Sequence, residues 1–206
     1  MNLAAVTVCV AYAGELSHTL PVMKLVCDDV IVITKKDDEE TVMVACDNDA
    51  EFVEYDGFYQ DGASFNKSGA VRLGQTLMHT RHPGWWYLVI DADILLPPDL
   101  RTVMAMECIN REALYGIVRH DVETFEEYQS GAEGKKFTYP FAGFFHLYSD
   151  TTKLYAPYST SAAKCDCDFS RLFEKRIRLN SNVKHLGYST KNWCGRSSPK
   201  WPMNRR

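Results

Sequence analysis

Two carboxylates separated by one residue, Asp91-Ala92-Asp93, follow directly on the apolar run Tyr87-Leu88-Val89-Ile90. A hard divalent cation such as Mn2+ or Mg2+ takes oxygen ligands and usually shares its shell between one or two carboxylates, water and substrate phosphates. On an extended chain, side chains two apart leave on the same side, so the pair is spaced to present a cation to a diphosphate. The competing reading is structural, with two aspartates ending a strand and capping the turn after it. The apolar residues before the pair, Ile94-Leu95-Leu96-Pro97 after it and the lack of an adjoining basic residue favour the metal reading.

Asn66 and Lys67 open a second candidate site. They begin a run whose apolar positions Val71, Leu73, Leu77 and Met78 read as a helix ended by Pro83-Gly84. Free backbone N–H groups at a helix start and a lysine charge both favour an anion, while an ordinary Asn cap followed by a solvated Lys is the structural alternative. Two other pairings are weak. Cys165-x-Cys167 has one intervening residue and no matching second pair for zinc, and His79-x-x-His82 falls at a helix end.

The elements that must carry these residues alternate. Val6 to Tyr12 reads as a buried first strand, and a helix containing Pro21 in its first turn follows Ser17. Val30 to Thr34 is a second buried strand, Thr41 to Cys46 a helix, Glu51 to Tyr55 a strand that Asp56 ends, and Trp85 to Ile90 the strand before Asp91. Alternation with short connections implies an α/β fold with a mainly parallel central sheet and helices on both faces. Ligands of such sheets collect at the carboxyl ends of the strands, where Asp91 falls. Later elements are a helix near Asp99 to Asn110, a strand near Leu114 to Val118, a strand within Phe141 to Tyr148 and a helix from about Asp166 to Lys175.

The 206 residues, 46% hydrophobic and 24% charged, suffice for one domain with a sizeable core. The odd set of seven cysteines argues against a disulfide framework, and the apolar first residues are too short for a membrane span. A reducing, cytoplasmic compartment is expected, with no transmembrane segment. Net charge is -4, but from Lys175 to Arg206 nine Lys or Arg residues occur without any Asp or Glu. That basic end, which holds Trp193 and Trp201, suits phosphate, although a solvated tail needs no partner. The acidic remainder and the lack of a basic stripe elsewhere speak against nucleic acid.

Taken together, the Tyr12-Ala13-Gly14 loop, Val30 to Thr34, Phe58 to Lys67, Leu88 to Pro97, Lys184-His185-Leu186-Gly187 and Lys191-Asn192-Trp193 carry a resemblance. The chain resembles GT-A glycosyltransferases of the inverting family 2 type, in their small bacterial or viral form, over most of its length. That resemblance implies one catalytic domain over residues 1–206, with a donor-binding half to about residue 98 and an acceptor-side half after it. The length also fits the catalytic part of a larger polypeptide. Ala11, Tyr12, Ala13, Thr34 and Asp56 are then expected around the nucleotide, with Tyr12 offering a stacking face and Asp56 two acceptors. Asn66, Lys67, Asp91 and Ala92 face the rest of the donor, while Lys191 and Arg196 neutralise the departing diphosphate.

By the same resemblance, Asp93 is expected to touch the metal directly, Asp91 to reach it through water or the donor's sugar and ribose, and His185 to be the late histidine that adds to the metal or the diphosphate. Asp166 is expected to be the base that deprotonates the acceptor hydroxyl, with Asp168 second, because a shift of two residues would exchange them. Tyr139 to Phe145 match the acceptor-side strand.

The expected activity is Mn2+- or Mg2+-dependent transfer of a hexose or deoxyhexose from a nucleoside diphosphate sugar, UDP-linked, to a glycan hydroxyl with inversion. A nucleotidyltransferase on a related sheet and a noncatalytic carbohydrate-binding module are the alternatives. A haloacid-dehalogenase-like phosphatase fits less well, because its paired aspartates come at the start of the chain of strand–helix units.

Overall fold

The structure is a computed structural model and describes residues 1–187; Lys191, Arg196, Trp193 and Trp201 lie outside the described residues. The first half alternates as the apolar runs require: β1 (Leu3–Val8), α1 (Ala13–Val26), β2 (Asp29–Thr34), α2 (Glu39–Asp47), β3 (Glu51–Glu54), α3 (Lys67–Arg81) and β4 (Trp86–Asp91). Its four strands pair in parallel in the order β3-β2-β1-β4. Successive side chains of a strand point to opposite faces, and both faces are covered. Leu3, Ala5, Val30, Val32, Leu88 and Ile90 pack with Leu16, Leu20 and Met23 of α1. Ala4, Val6, Ile31, Ile33, Tyr87 and Val89 pack with Ala70, Val71 and Met78 of α3. Each such buried aliphatic side chain contributes about 1.5–3 kcal/mol. Helix α3 lies close enough on β1 that a Cβ on Gly74 would sit 2.5 Å from Val6 Cγ1, so only glycine fits there.

The second half comprises β5 (Ile94–Leu95), α4 (Leu100–Glu107), β6 (Leu114–Val122), α5 (Phe125–Gln129), β7 (Lys135–Phe137), β8 (Phe145–Tyr148), α6 (Ala162–Ser170) and β9 (Arg176–Leu186). Strand β8 runs antiparallel to β4 and carries the sheet on to β6, β9 and β5, while β7 pairs β6 on the side. The short β5, immediately after Asp93, pairs with the end of β9, Ile94 opposite His185. The end of β9 is thereby held beside the carboxyl end of β4.

Several elements differ from their sequence expectation. Strand β1 ends at Val8, because Ala11 bends the chain away at φ 52° and its N–H is held by Asp38 Oδ2 at 2.7 Å. Helix α1 starts at Ala13, which leaves Pro21 inside the helix instead of in its first turn. Strand β6 continues four residues past Val118, because its polar positions face a partner strand that only the fold supplies. Tyr139 to Phe144 run as loop before β8, with Gly143 at φ 91°. Helix α6 begins four residues before Asp166 and ends at Ser170, so that aspartate lies in its second turn and not at its start.

Candidate active site

Strand β4 delivers Asp91 as its last residue, beside Val8 of β1, and the chain then turns through Ala92 and Asp93 into β5. The turn is pinned at two points. Thr19 of α1 donates its hydroxyl to the Ala92 carbonyl at 2.5 Å, and the Leu186 N–H donates to the Asp93 carbonyl at 2.9 Å. Neither carboxylate lacks a basic neighbour, as the sequence had implied. The fold brings Lys67 to Asp91 and His185 to Asp93 from distant parts of the chain.

On the Asp93 side, His185 Nε2 lies 3.3 Å from Asp93 Oδ2, and its other nitrogen, Nδ1, donates to Asp121 Oδ1 at 2.9 Å. All three residues are buried. Burial alone would lower the imidazole's pKa, but Asp93 and then Asp121 outweigh it and raise it to about 9. A cation with bonds near 2.1 Å keeps neighbouring octahedral ligands about 3 Å apart, close to the observed O···N spacing. The carboxylate oxygen suits Mn2+ or Mg2+, and the imidazole nitrogen, whose far N–H rests on a second carboxylate, is a ligand for a transition metal and so favours Mn2+ of the two. No cluster of three or more His, Cys, Asp or Glu side chains is poised to hold an ion among the described residues. Water and substrate phosphates usually complete such a shell.

On the Asp91 side, the buried Lys67 ammonium is shared between Asp91 Oδ1 at 2.6 Å and Asp166 Oδ2 at 3.2 Å. Burial works against the ammonium, yet the two carboxylates prevail and hold its pKa above the ordinary lysine value. At Asp166 the balance reverses: burial dominates, half a lysine does not cancel it, and the carboxyl is raised to about 6. Its second oxygen accepts the Tyr155 hydroxyl at 3.0 Å, and Tyr155 in turn contacts His146 Nδ1 at 2.9 Å. Burial lowers His146 to about 3, and the ring lies between the tyrosine oxygen on its Nδ1 side and the Phe141 carbonyl, 3.4 Å from Nε2. Gly143 passes so near that a Cβ there would lie 2.0 Å from Asp166 Cγ. Asp168 is held elsewhere, half-buried and paired with Lys164 and Arg171.

The residues expected around the nucleotide gather at the ends of β1, β2 and β3, but several of their polar groups already serve the fold. Asp38, the cap of α2, accepts from the Ala11 N–H and, at 3.2 Å, from the Thr34 hydroxyl, tying the first two loops together. Tyr12 is the residue before α1, Ala13 its first, and Asp56 is exposed where a short 3-10 segment begins. Asn66 caps α3 by accepting from Gly69 N–H at 3.1 Å, accepts also from Ser159 N–H at 3.0 Å, and donates to Tyr55. Ala92 is buried in the turn.

Sequence reasoning did not single out Asp38, Arg119, Asp121, His146 or Tyr155. Asp38 had a usable signal, an acid directly ahead of a helix. Arg119 and Asp121 had one only if β6 was carried far enough for their spacing of two to mean one face. Tyr155 and His146 had none.

The sheet order and the helices on both faces define the fold shared by GT-A glycosyltransferases and nucleotidyltransferases, and solved structures bear this out. The chain is similar to glucosyl-3-phosphoglycerate synthase from Mycobacterium tuberculosis in complex with Mn2+, UDP and glucosyl-3-phosphoglycerate, with TM-score 0.51 and 11% identity, covering 91% of this chain and 72% of that one. It is similar also to 4-diphosphocytidyl-2C-methyl-D-erythritol synthase (TM-score 0.55, 14% identity, 91% and 90% coverage). A third likeness is to a putative glucose-1-phosphate thymidylyltransferase from Bacillus anthracis (TM-score 0.52, 12% identity, 90% and 88% coverage). No protein-family model matches the sequence, and a search of curated proteins returns no match.

Proposed function

We propose that the chain is a metal-dependent glycosyltransferase that moves a sugar from a nucleoside diphosphate sugar, UDP-linked, to a glycan hydroxyl with inversion. The observation that carries this is the Lys67 bridge, which sets the buried carboxylate of Asp166 beside the Asp91 end of the paired aspartates. Asp93 and His185 would hold Mn2+ or Mg2+, and Asp91 would reach it through water or through the donor. The cation would supply charge stabilisation for the departing nucleoside diphosphate. Asp166 accepts the proton of the acceptor hydroxyl as that oxygen attacks the anomeric carbon from the face opposite the leaving group. A single displacement of this kind inverts the centre. Lys191 and Arg196 are assigned to the diphosphate, and Ala11 to Ala13, Thr34, Asp56 and Asn66 to the nucleotide side.

Glycosyl transfer needs a base for a weakly acidic hydroxyl, the role assigned to Asp166. Nucleotidyl transfer attacks with a phosphate that is already an anion. The likeness to the synthase and the thymidylyltransferase nevertheless makes it the second reading. Incubation with a panel of nucleotide sugars and Mn2+ decides between them. Release of nucleoside diphosphate, lost in Asp93→Ala, is expected, and anomeric proton couplings of the product report inversion. Pyrophosphate release from a nucleoside triphosphate and a sugar phosphate would establish the second reading. Sugar binding without metal or turnover would overturn both. No helix among the described residues is long and apolar enough to cross a membrane.

A further inference from the structure

Asp121 and Arg119 lie outside every role assigned so far, yet they form a buried chain that ends on His185. Strands β6 and β9 are parallel, and Asp121 is the register partner of His185. Arg119, two residues earlier on the same face, forms an ion pair with Asp121, its Nε lying 3.0 Å from Oδ1 without the alignment of a hydrogen bond, and the same oxygen accepts His185 Nδ1–H. The arginine is itself fixed, because its guanidinium carbon lies 4.5 Å from the Phe137 ring centre and 4.9 Å from that of Phe144. The line Phe137/Phe144, Arg119, Asp121, His185, Asp93 therefore runs from the side strand β7 to the turn after β4.

An imidazole on an unrestrained side chain can present either nitrogen or a ring carbon to a neighbour. A carboxylate on Nδ1–H removes that freedom, fixing the ring plane and leaving Nε2 as the nitrogen that faces forward. We infer that Asp121, braced by Arg119, is a positioning residue that aims His185 Nε2 at the cation shared with Asp93. The inference rests on the metal reading given above. Asp121 is not itself a ligand in this arrangement, since it sits on the opposite nitrogen of the ring from Asp93.

The test is titration of the full chain with Mn2+, first alone and then with UDP, following the free-ion electron paramagnetic resonance signal. Asp121→Asn is expected to weaken Mn2+ binding by about 10- to 100-fold. Arg119→Met, which keeps an aliphatic stem between the two rings, is expected to weaken it less. Thermal unfolding identifies any variant that loses its fold, and Arg119→Met then carries the comparison. A role exerted through the histidine predicts that Asp121→Asn costs nothing further in a His185→Ala background, whereas general loosening of the fold would cost the same in both. Undiminished Mn2+ binding by Asp121→Asn, or an equal loss in both backgrounds, overturns the inference while leaving the metal site standing. Failure of the unmutated chain to bind Mn2+ with or without UDP overturns the metal reading and this inference with it.

Discussion

Around Asp91 the compensating cation is a lysine, and around Asp93 it is a histidine. The two regions lie on either side of Ala92, and both bury charge, but they can do different things with it. The Lys67 ammonium offers hydrogens and no lone pair, so it can hold Asp91 and Asp166 in place but cannot join a metal shell. An imidazole that gives up its proton becomes a ligand, so on the proposed function His185 would join Asp93 around a cation with Asp121 on its other nitrogen. On the proposed function, one side would anchor the base and the other would seat the metal. The difference rests on which basic residue the fold delivers to each aspartate.

The largest effect should come from removing the seat. Asp93→Ala is expected to lower metal-dependent cleavage of the nucleotide sugar on the order of a thousandfold, the several kcal/mol that a bound cation supplies. Asp91→Ala should weaken Mn2+ binding less than Asp93→Ala does, as read by the same metal titration. Equal loss of Mn2+ in the two variants would erase the distinction between the regions.

Removing the anchor should cost stability before it costs chemistry. Lys67→Met leaves Asp166 buried without its cation, and breaking a buried pair from one side costs about 3–5 kcal/mol. Asp91 adds little to that sum, because its side chain is 34% exposed and water screens it. Urea unfolding measures the loss, and adding Asp166→Leu to Lys67→Met should recover much of it. If Lys67→Met unfolds at the wild-type midpoint, the lysine is not an anchor.

The anchor and the seat were legible to different degrees in the sequence. Strands β1, β2 and β4 could be read from runs such as Val30-Ile31-Val32-Ile33, because a strand buried on both faces must be apolar throughout. Asp91 and Asp93 stood out by type and spacing and Asn66 by its position at the head of α3, whereas Asp166 was named only through the resemblance. What each carboxylate meets could not be read, since Lys67 and Asp166 are 99 residues apart and Asp121 and His185 are 64 apart. Strand β6 was cut short because Arg119-His120-Asp121 reads as the polar end of a strand. Arg119 and Asp121 are buried where β6 pairs with β9, and that pairing is a property of the whole fold.

A smaller effect should appear in the pH dependence of the base. Transfer requires ionised Asp166, so the rate should rise as pH passes through about 6. Stability should move the opposite way. With the carboxyl raised from 3.8 to about 6, its favourable contribution is complete below 3.8 and is lost as pH climbs through 6. Tyr155→Phe keeps the ring stacked on Phe169 but removes the hydroxyl that favours the carboxylate. A hydrogen bond to a charged group is worth about 1.5–3 kcal/mol, so the acidic limb of the rate profile should move up by about one pH unit or more. An unmoved limb would mean that Tyr155 supports the fold but not the base.

The smallest effect expected, none at all for Asp168→Asn, assigns the base when set against a large one for Asp166→Asn. Two residues along a helix is a rotation of about 200°, so Asp166 and Asp168 leave α6 on nearly opposite sides. Asp166 turns in to Lys67 and Tyr155, and Asp168 turns out to Lys164 and Arg171, whose charges hold its carboxyl below the ordinary range. Asp166→Asn should lower transfer by about 10²- to 10⁴-fold, the usual contribution of a positioned general base. Asp168→Asn should leave the rate and its pH profile where they were. If Asp168→Asn instead carries the loss, the Lys67 bridge is scaffolding alone, and the chemistry lies on the outer side of α6.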